Sequence, residues 1–297
     1  MYFAAYLEQG EEKTGVLGPE KTTVIELCKM GFSNAGSLLD FIPHCDEQRL
    51  SKIKSCLADE SFCRENAVDM SSIKLLAPLP ELRRNVICLG LNYREHIQEV
   101  TGVTNKQLQE PDAPIYFGKM AARVTGHGEE ILSHPGVTKE LDYEVELAVI
   151  IGKDGTNIPG EKAEEHIFGY SIFNDITARD LQRVHKQWIR GKSLDSFSVM
   201  GPYIVHRSQI PFPVELDIAS RINGELRQSS NTRHLIFDIP YIISDLSRGF
   251  TLKAGDVIAT GTPKGVGMGF DPPRYLNSGD IVECTIERIG TLINPIK

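Results

Sequence analysis

The chain has 297 residues, of which 41% are hydrophobic and 24% are charged, and its formal net charge is −8. This length and composition suit one large domain, or a large and a small one, and exclude a largely disordered chain. The acidic balance argues against a nucleic-acid-binding protein, which would usually present a basic face. It still allows an anionic small substrate, because a bound cation can reverse the local field.

Neither the cysteines nor the N-terminal segment points to a secreted or membrane protein. The six cysteines form no CxxC pair and no His/Cys spacing typical of zinc, so we expect reduced thiols. The first fifteen residues include Glu8 and lack a long apolar run, which argues against a signal peptide. No apolar run reaches the length of a membrane span. We therefore expect a cytoplasmic protein with no membrane partner.

Residues 1–72 predict a small N-terminal structural domain with an α/β composition. The segment MYFAAYLEQGEEKTGVLG is typical of a hairpin with its turn near residues 10–13. Residues 21–70 then carry helical patterning, as in SLLDFI and RLSKIKSCLADESF. The Pro-containing segment Ile73–Pro80 predicts a connector to the rest of the chain.

Residues 73–297 predict a larger domain dominated by β-strands. Apolar segments separated by Gly, Asp and Pro turns follow one another: VICL, IYFGK, DYEVELAVIIG, FGYSIFNDIT, VMGPYIVHR, VELDIASRING, DVIATGTP and DIVECTIERIG. Asn223-Gly224 predicts a two-residue hairpin turn. Helices are predicted only in REHIQEVTG, ending near Gly102, in ARDLQRVHKQW and in IPYIISDLSRG. The polar segment 103–114 predicts a mobile loop, and the whole pattern predicts an α+β fold.

Three acidic residues end or begin apolar strands. Glu144 and Glu146 lie two residues apart in LDYEVELAVIIG, so their side chains share one face of the strand. Asp175 ends the apolar segment FGYSIFND. An all-oxygen set of this kind suits Mg²⁺ or Mn²⁺. The pattern alone also allows carboxylates that are solvated at a strand edge or paired with Lys and Arg.

Other polar groups allow more than one interpretation. His96 and Glu99 are spaced to share one side of a helix, where the carboxylate would make the imidazole a general base or form a surface ion pair with it. Arg179 and Gln182 would share a helical face, and Arg179 could equally pair with Asp180 or another acid.

The glycine-rich segment GTPKGVG, residues 261–267, lacks the GK[ST] ending of a phosphate loop. A nucleotide site is therefore not predicted here. We expect its glycines to let the backbone come close to a ligand.

The segments LDYEVELAVIIGK, FGYSIFNDITARDLQ, GKSLDSFSVMGPYIV and DVIATGTPKGVGMGF, with GLNYREHIQE upstream, resemble the fumarylacetoacetate hydrolase family. The resemblance covers about residues 75–296. Residues 1–72 also resemble the small N-terminal module of bacterial members. Through HKQWIRGKSLD, NGELRQS and the C-terminal segment, the chain looks most like the bacterial oxaloacetate decarboxylases and acylpyruvate hydrolases of this family.

The resemblance implies a mixed β-roll with a small N-terminal module and a divalent metal ion, Mg²⁺ or Mn²⁺, held by Glu144, Glu146 and Asp175. It also implies a lid around residues 93–114 that carries His96 and Glu99 and orders when substrate binds. Lys192 matches the active-site lysine of the family. The implied substrate-contacting residues are Arg179, Gln182, Thr262 and Lys119. Homodimers are common in the family, and we expect one here.

The implied reaction is cleavage of a C–C bond in a 2-oxo acid through a metal-stabilised enolate. Segment 186–195 favours oxaloacetate decarboxylation, with acylpyruvate or fumarylacetoacetate-type hydrolysis close behind. Isomerisation of a 2-hydroxy-dienedioate is an alternative at the same metal. A non-catalytic, metal-stabilised binding domain is the alternative from another functional class.

Overall fold

The computed structural model describes residues 1–104 and 109–297. In its N-terminal part, three strands are followed by three helices and then by two further strands. The elements are β1 (Tyr2–Glu8), β2 (Glu11–Leu17), β3 (Thr23–Glu26), α1 (Leu38–Phe41), α2 (Glu47–Ala58), α3 (Glu60–Asn66), β4 (Ala67–Asp69) and β5 (Lys74–Leu75). The predicted hairpin is present, with its turn at Gln9 and Gly10, which both have positive φ angles.

Strands dominate the remainder of the described chain. The elements up to α6 are β6 (Val86–Gly90), α4 (Arg94–Thr104), β7 (Ile115–Lys119), β8 (Leu141–Asp142), β9 (Val145–Ile151), β10 (Ile167–Asp175), β11 (Thr177–Ala178), α5 (Arg179–Val184) and α6 (Ile189–Lys192). After them come β12 (Ser198–His206), β13 (Asp217–Ile222), β14 (Glu225–Asn231), α7 (Ile239–Leu246), β15 (Val257–Ala259), β16 (Ile281–Ile286) and β17 (Gly290–Pro295).

One large mixed sheet runs through both parts of the chain. Its strand order is β4-β3-β2-β1-β12-β10-β9-β15-β6-β7, with β5 also paired to β1. The pair β15 and β6 is parallel, whereas the other neighbours along this order are antiparallel. A second sheet has the order β14-β13-β16-β17. The α+β class is confirmed. Because β1 pairs with β12, residues 1–72 add strands to the sheet of the larger part, and the domain boundary at residue 72 stays a prediction.

Strand β9 is buried on both faces. Leu147, Val149 and Ile151 pack in one hydrophobic cluster, and the alternate residues Ala148 and Ile150 pack in another. This position explains why the strand is a continuous apolar run, since a strand with one wet face would alternate. Acidic side chains at the start of β9 therefore lie inside the protein.

Local predictions are partly confirmed. The hairpin between β13 and β14 turns at Asn223 and Gly224, with φ angles of 51° and 80° that fit a type I′ turn. The segment ARDLQRVHKQW was expected to form one helix, and that prediction is wrong. The chain leaves the helix at His185, where φ is −91° and ψ is 128°, and a second short helix begins at Ile189.

Within the described residues, no helix combines the length and apolar character needed to cross a membrane.

The packing of β10 against β12 offers a test of the fold. A Cβ atom at Gly169 would lie 2.3 Å from the backbone oxygen of Val205. We expect Gly169→Ala to lower the free energy of unfolding by about 1–3 kcal/mol, because backbone atoms must move to accept the methyl group. Urea denaturation measures the change. Gly136→Ala is the control, since a Cβ atom there would have no neighbour within 4 Å in the described part of the chain. Equal stabilities of the two variants would contradict this packing.

Candidate active site

Three acidic side chains converge where β9 begins and β10 ends. One carboxylate oxygen each of Glu144, Glu146 and Asp175 lies within 4.8 Å of the others. The backbone N–H of Asp175 donates to the carbonyl of Glu144 at 2.9 Å, which ties the two strand ends together. Glu146 lies in β9, but Glu144 precedes the strand, so the prediction that both belong to one strand is wrong. Tyr143 and Glu144 interrupt the strand between β8 and β9, yet the carboxylates of Glu144 and Glu146 still lie close together.

Of the three carboxylates, Glu146 is the one that no described cationic side chain neutralises. Its side chain is 1% exposed and accepts a 2.8 Å hydrogen bond from the backbone N–H of Gly261. Burial, and then the negative charges of Asp175 and Glu144, raise the pKa of Glu146 well above its ordinary value. A positive charge placed beside it would relieve both penalties.

Two buried lysines neutralise the other two carboxylates. The ammonium of Lys192 lies 2.6 Å from Glu144 and 2.7 Å from Asp175. Burial disfavours its charge, but Asp175 and Glu144 outweigh that effect and raise the pKa of Lys192. Lys119 pairs with the other oxygen of Asp175 and donates to the carbonyl of Ile176 at 2.9 Å. Neither lysine is a solvated loop residue.

Arg179 is also paired with acids, which was the second of the two interpretations given for it in the sequence analysis. Its Nε donates to Asp142 at 2.8 Å, and its Nη2 lies 2.7 Å from Glu144. The expected neighbour Gln182 accepts from Nη1 at 3.1 Å. Burial opposes ionisation of Glu144, but Lys192 and Arg179 outweigh it and hold the pKa of Glu144 below its ordinary value.

The donor set fits a hard divalent cation. Four buried carboxylates, with Asp142 as the fourth, face three buried cations, Lys119, Lys192 and Arg179. Formally one negative charge is left over, and Glu146 is the carboxylate of this set that forms no ion pair with any described residue. Oxygen ligands of this kind are those that Mg²⁺ and Mn²⁺ prefer.

His96 and Glu99 lie on α4, as predicted, and they are not a surface ion pair. Nδ1 of His96 lies 2.9 Å from Oε2 of Glu99, and His96 is 5% exposed. The second oxygen of Glu99 accepts from the backbone N–H of Gly265 at 2.8 Å. A proton on Nδ1 completes the bond to Glu99 and leaves Nε2 as the nitrogen that can accept a proton.

The predicted lid corresponds largely to α4. The helix runs to Thr104, slightly beyond the predicted end at Gly102. Just before it, Asn92 bonds to the backbone of Phe237 and Thr260, which anchors the start of the helix. Arg94 pairs with Glu110 at 2.8 Å. Residues 105–108 of the predicted mobile loop lie outside the described residues.

A cavity of about 300 Å³ lies between α4 and the acidic cluster, and the predicted site residues Glu99 and Asp175 are not among the described residues that line it. Seven of the predicted site residues line it: His96, Glu144, Glu146, Arg179, Gln182, Lys192 and Thr262. Its apolar wall includes Leu89, Phe117 and Trp188. Lys119, which is 0% exposed, is not among the described residues that line it, so its position suits holding Asp175 better than touching a substrate.

Two polar residues of the site were missed from the sequence. The side chain of Gln228 donates to the hydroxyl of Thr262 at 2.7 Å and accepts from the backbone of Val145, while Thr262 donates to the carbonyl of Val145. Asp142 is 0% exposed and holds Arg179. Asp142 continues the alternation of Glu144 and Glu146 in LDYEVE, which was the available signal. Gln228 lies in NGELRQS, a segment that the sequence analysis used only for its resemblance to the family, and no pattern there indicated a role for this residue.

The glycine-rich segment approaches carboxylates of its own chain. The N–H groups of Gly261, Gly265 and Gly267 donate to Glu146, Glu99 and Asp142, respectively. Glycine lets the backbone come this close, as expected, but the three partners in the described structure are protein side chains rather than a ligand.

The part of the chain that contains the candidate site is similar to known proteins. The family model "Fumarylacetoacetate (FAA) hydrolase C-terminal" matches residues 85–297. Oxaloacetate tautomerase YisK of Bacillus subtilis (strain 168) is 53% identical over 227 residues, which are 76% of this chain and 74% of that protein.

Two solved structures are similar over the whole chain. Fumarylacetoacetate hydrolase from psychrophilic Exiguobacterium antarcticum has a TM-score of 0.81 at 39% identity, covering 100% of this chain and 99% of that chain. Maleylpyruvate hydrolase from Sphingobium sp. SYK-6, in complex with manganese(II) ion and pyruvate, has a TM-score of 0.78 at 25% identity, covering 100% and 98%.

These similarities confirm the predicted mixed β-roll with its N-terminal module and the resemblance from which it was inferred. The buried acidic cluster could bind a metal, and one solved relative holds manganese. The chain belongs to the fumarylacetoacetate hydrolase family of enzymes.

Proposed function

We propose that the protein interconverts the enol and keto forms of oxaloacetate by proton transfer. The observation that carries this proposal is one small cavity lined by His96, which pairs with Glu99 behind it, and by Glu144 and Glu146 of the buried carboxylate cluster. Such a cavity can hold a short 2-oxo acid and move one proton on it. The name of the relative that is 53% identical, an oxaloacetate tautomerase, supports the choice of reaction.

Glu144, Glu146 and Asp175 would hold the Mg²⁺ or Mn²⁺ ion as the three protein ligands. A divalent ion bound there supplies Lewis-acid stabilisation of negative charge on the keto oxygen. Lys192, buried in the same wall, adds a fixed positive charge. We assign the carboxylates of the substrate to Arg179, Gln182 and Thr262 because these residues line the cavity. Lys119, predicted to contact substrate, is assigned to holding Asp175 instead.

His96 would move the proton. Its Nε2 takes the proton from the enol hydroxyl, which breaks the O–H bond, and the same proton forms the new C–H bond at C3. Glu99 holds Nδ1–H and stabilises the imidazolium that forms between the two transfers. The step neither consumes nor releases water or CO₂, and the low exposure of His96 limits competing proton exchange with solvent.

Cleavage of a C–C bond, the reaction favoured in the sequence analysis, is the second candidate. It uses the same enolate, and His96 could activate water for hydrolysis of an acylpyruvate. The full-length similarity to a solved fumarylacetoacetate hydrolase supports this candidate. Isomerisation of a 2-hydroxy-dienedioate would be the same proton relocation on a longer substrate. The homodimer expected from the family stays a proposal, which light scattering of the purified protein tests.

One assay separates the two candidates. Enol oxaloacetate is mixed with the protein and Mn²⁺, and the loss of enol absorbance is recorded together with CO₂ and pyruvate. We expect the enol signal to decay faster than in buffer while CO₂ stays at its background rate. Release of CO₂ in step with substrate loss would identify a decarboxylase. Turnover of acylpyruvates alone would identify a hydrolase.

Metal removal should abolish the reaction. We expect EDTA to reduce tautomerisation to the buffer rate and Mg²⁺ or Mn²⁺ to restore it. Glu146→Gln should weaken Mn²⁺ binding by at least about tenfold, since an amide removes the carboxylate that forms no ion pair with the described residues. Glu165→Gln, on the surface, is the control. Full activity in the presence of EDTA would overturn the proposal.

His96→Asn should reduce kcat by about 10²–10⁴-fold, the usual contribution of a general acid–base group. Mn²⁺ affinity, measured by titration calorimetry, should stay close to that of the wild-type protein. His44→Asn is the matched control because His44 is exposed in the N-terminal part. A His96 variant with unchanged kcat would remove His96 from the mechanism.

A further inference from the structure

We propose that Asp142 is a positioning residue that couples the lid helix α4 to the metal-binding carboxylates. The coupling runs through residues 265–269, which we call the glycine loop. The proposal rests on the proposed roles of Glu99 in the lid and Glu144 in metal binding. It adds two residues, Asp142 and Gly269, that neither role requires.

Asp142 links the glycine loop to Arg179. Its Oδ1 accepts from the backbone N–H of Gly267 at 2.6 Å and from that of Tyr143 at 2.9 Å. Its Oδ2 accepts from the N–H of Met268 at 3.0 Å and from Nε of Arg179 at 2.8 Å. Both oxygens are therefore used twice, and a carboxylate is the side chain of this size that can accept on both.

The opposite side of the glycine loop contacts Glu99 of the lid helix α4. The N–H of Gly265 donates to Oε1 of Glu99 at 2.8 Å. A Cβ atom at Gly269 would lie 2.1 Å from the same oxygen. The carboxylate of Glu99 thus lies directly against the backbone at Gly269, and a side chain there would displace it. At Gly267, a Cβ atom would lie 2.7 Å from Asp142. The loop is held between the two carboxylates.

The contacts form one continuous path. It leads from Glu99 through the glycine loop to Asp142, then to Arg179, whose Nη2 lies 2.7 Å from Glu144. A shift of the loop changes the hydrogen bonds at both ends. Coupling between two sites is reciprocal, so loosening the lid should weaken metal binding, and disturbing Asp142 should loosen the lid.

Two variants perturb opposite ends of this path. Gly269→Ala displaces Glu99 without touching a metal ligand. Asp142→Asn replaces one acceptor oxygen by an NH₂ group that faces N–H donors. Gly102→Ala is the control in the lid itself, because a Cβ atom there meets no atom of the described residues within 4 Å. Each full-length protein is examined by hydrogen–deuterium exchange of the α4 amides without metal and by calorimetric titration with Mn²⁺.

We expect each variant to act on the distant site. Asp142→Asn should raise exchange in α4, although none of the hydrogen bonds of the Asp142 side chain is to this helix. Gly269→Ala should weaken Mn²⁺ binding by about fivefold, the lower end of typical coupling between sites. Gly102→Ala should leave the Mn²⁺ affinity close to that of the wild-type protein and should not speed exchange in α4, because alanine favours a helix more than glycine does.

The proposal is overturned if Gly269→Ala speeds α4 exchange but binds Mn²⁺ as tightly as Gly102→Ala does. It is also overturned if a folded Asp142→Asn protein keeps wild-type exchange in α4. Exchange of the β10 amides reports whether the Asp142→Asn protein is folded. If this variant does not fold, the Mn²⁺ affinity of Gly269→Ala alone decides whether the proposal holds. Neither measurement needs turnover, so a coupled protein that converts no 2-oxo acid would refute only the proposed function.

Discussion

The repulsion among three buried carboxylates is the constraint on which the rest of the site depends. Glu144, Glu146 and Asp175 are each at most 5% exposed, and three negative charges so close together cannot be stable in a dry interior without cations. Lys192 and Arg179 neutralise part of this charge. The raised pKa of Glu146 shows that the negative potential at this carboxylate is not fully neutralised. A cluster with this imbalance has a physical reason to bind a divalent ion.

The backbone takes part in the same electrostatic problem. Carboxylates of Glu146, Glu99 and Asp142 accept N–H groups from one glycine-containing segment, residues 261–267. These three acids belong to the buried acidic cluster, to helix α4 and to the contact with Arg179. A single segment therefore fixes the relative positions of these three carboxylates. It contacts β9 of the large sheet, β14 of the second sheet and α4, so it supports all parts of the candidate site.

The sequence predicted the acidic cluster better than its surroundings. Periodicity located β9 and β10, and the spacing of Glu144 and Glu146 placed two carboxylates together even though the strand begins after Glu144. The acidic partners of Arg179 and Lys119 could not be predicted, because they lie on strands distant in the chain. The break between α5 and α6 was missed for a similar reason, since helical periodicity continues across it while the backbone turns away. Tertiary contacts, which local patterns do not encode, decided each of these features.

Anomalous scattering from crystals grown with saturating Mn²⁺ tests the central claim most directly. We expect one manganese peak within about 2.0–2.3 Å of oxygens from Glu144, Glu146 and Asp175, the usual range for oxygen ligands of small divalent ions. Lys192 would then have moved away from at least one of its two carboxylate partners. A map with no manganese among these oxygens, with Lys192 still bridging Glu144 and Asp175, would contradict the account.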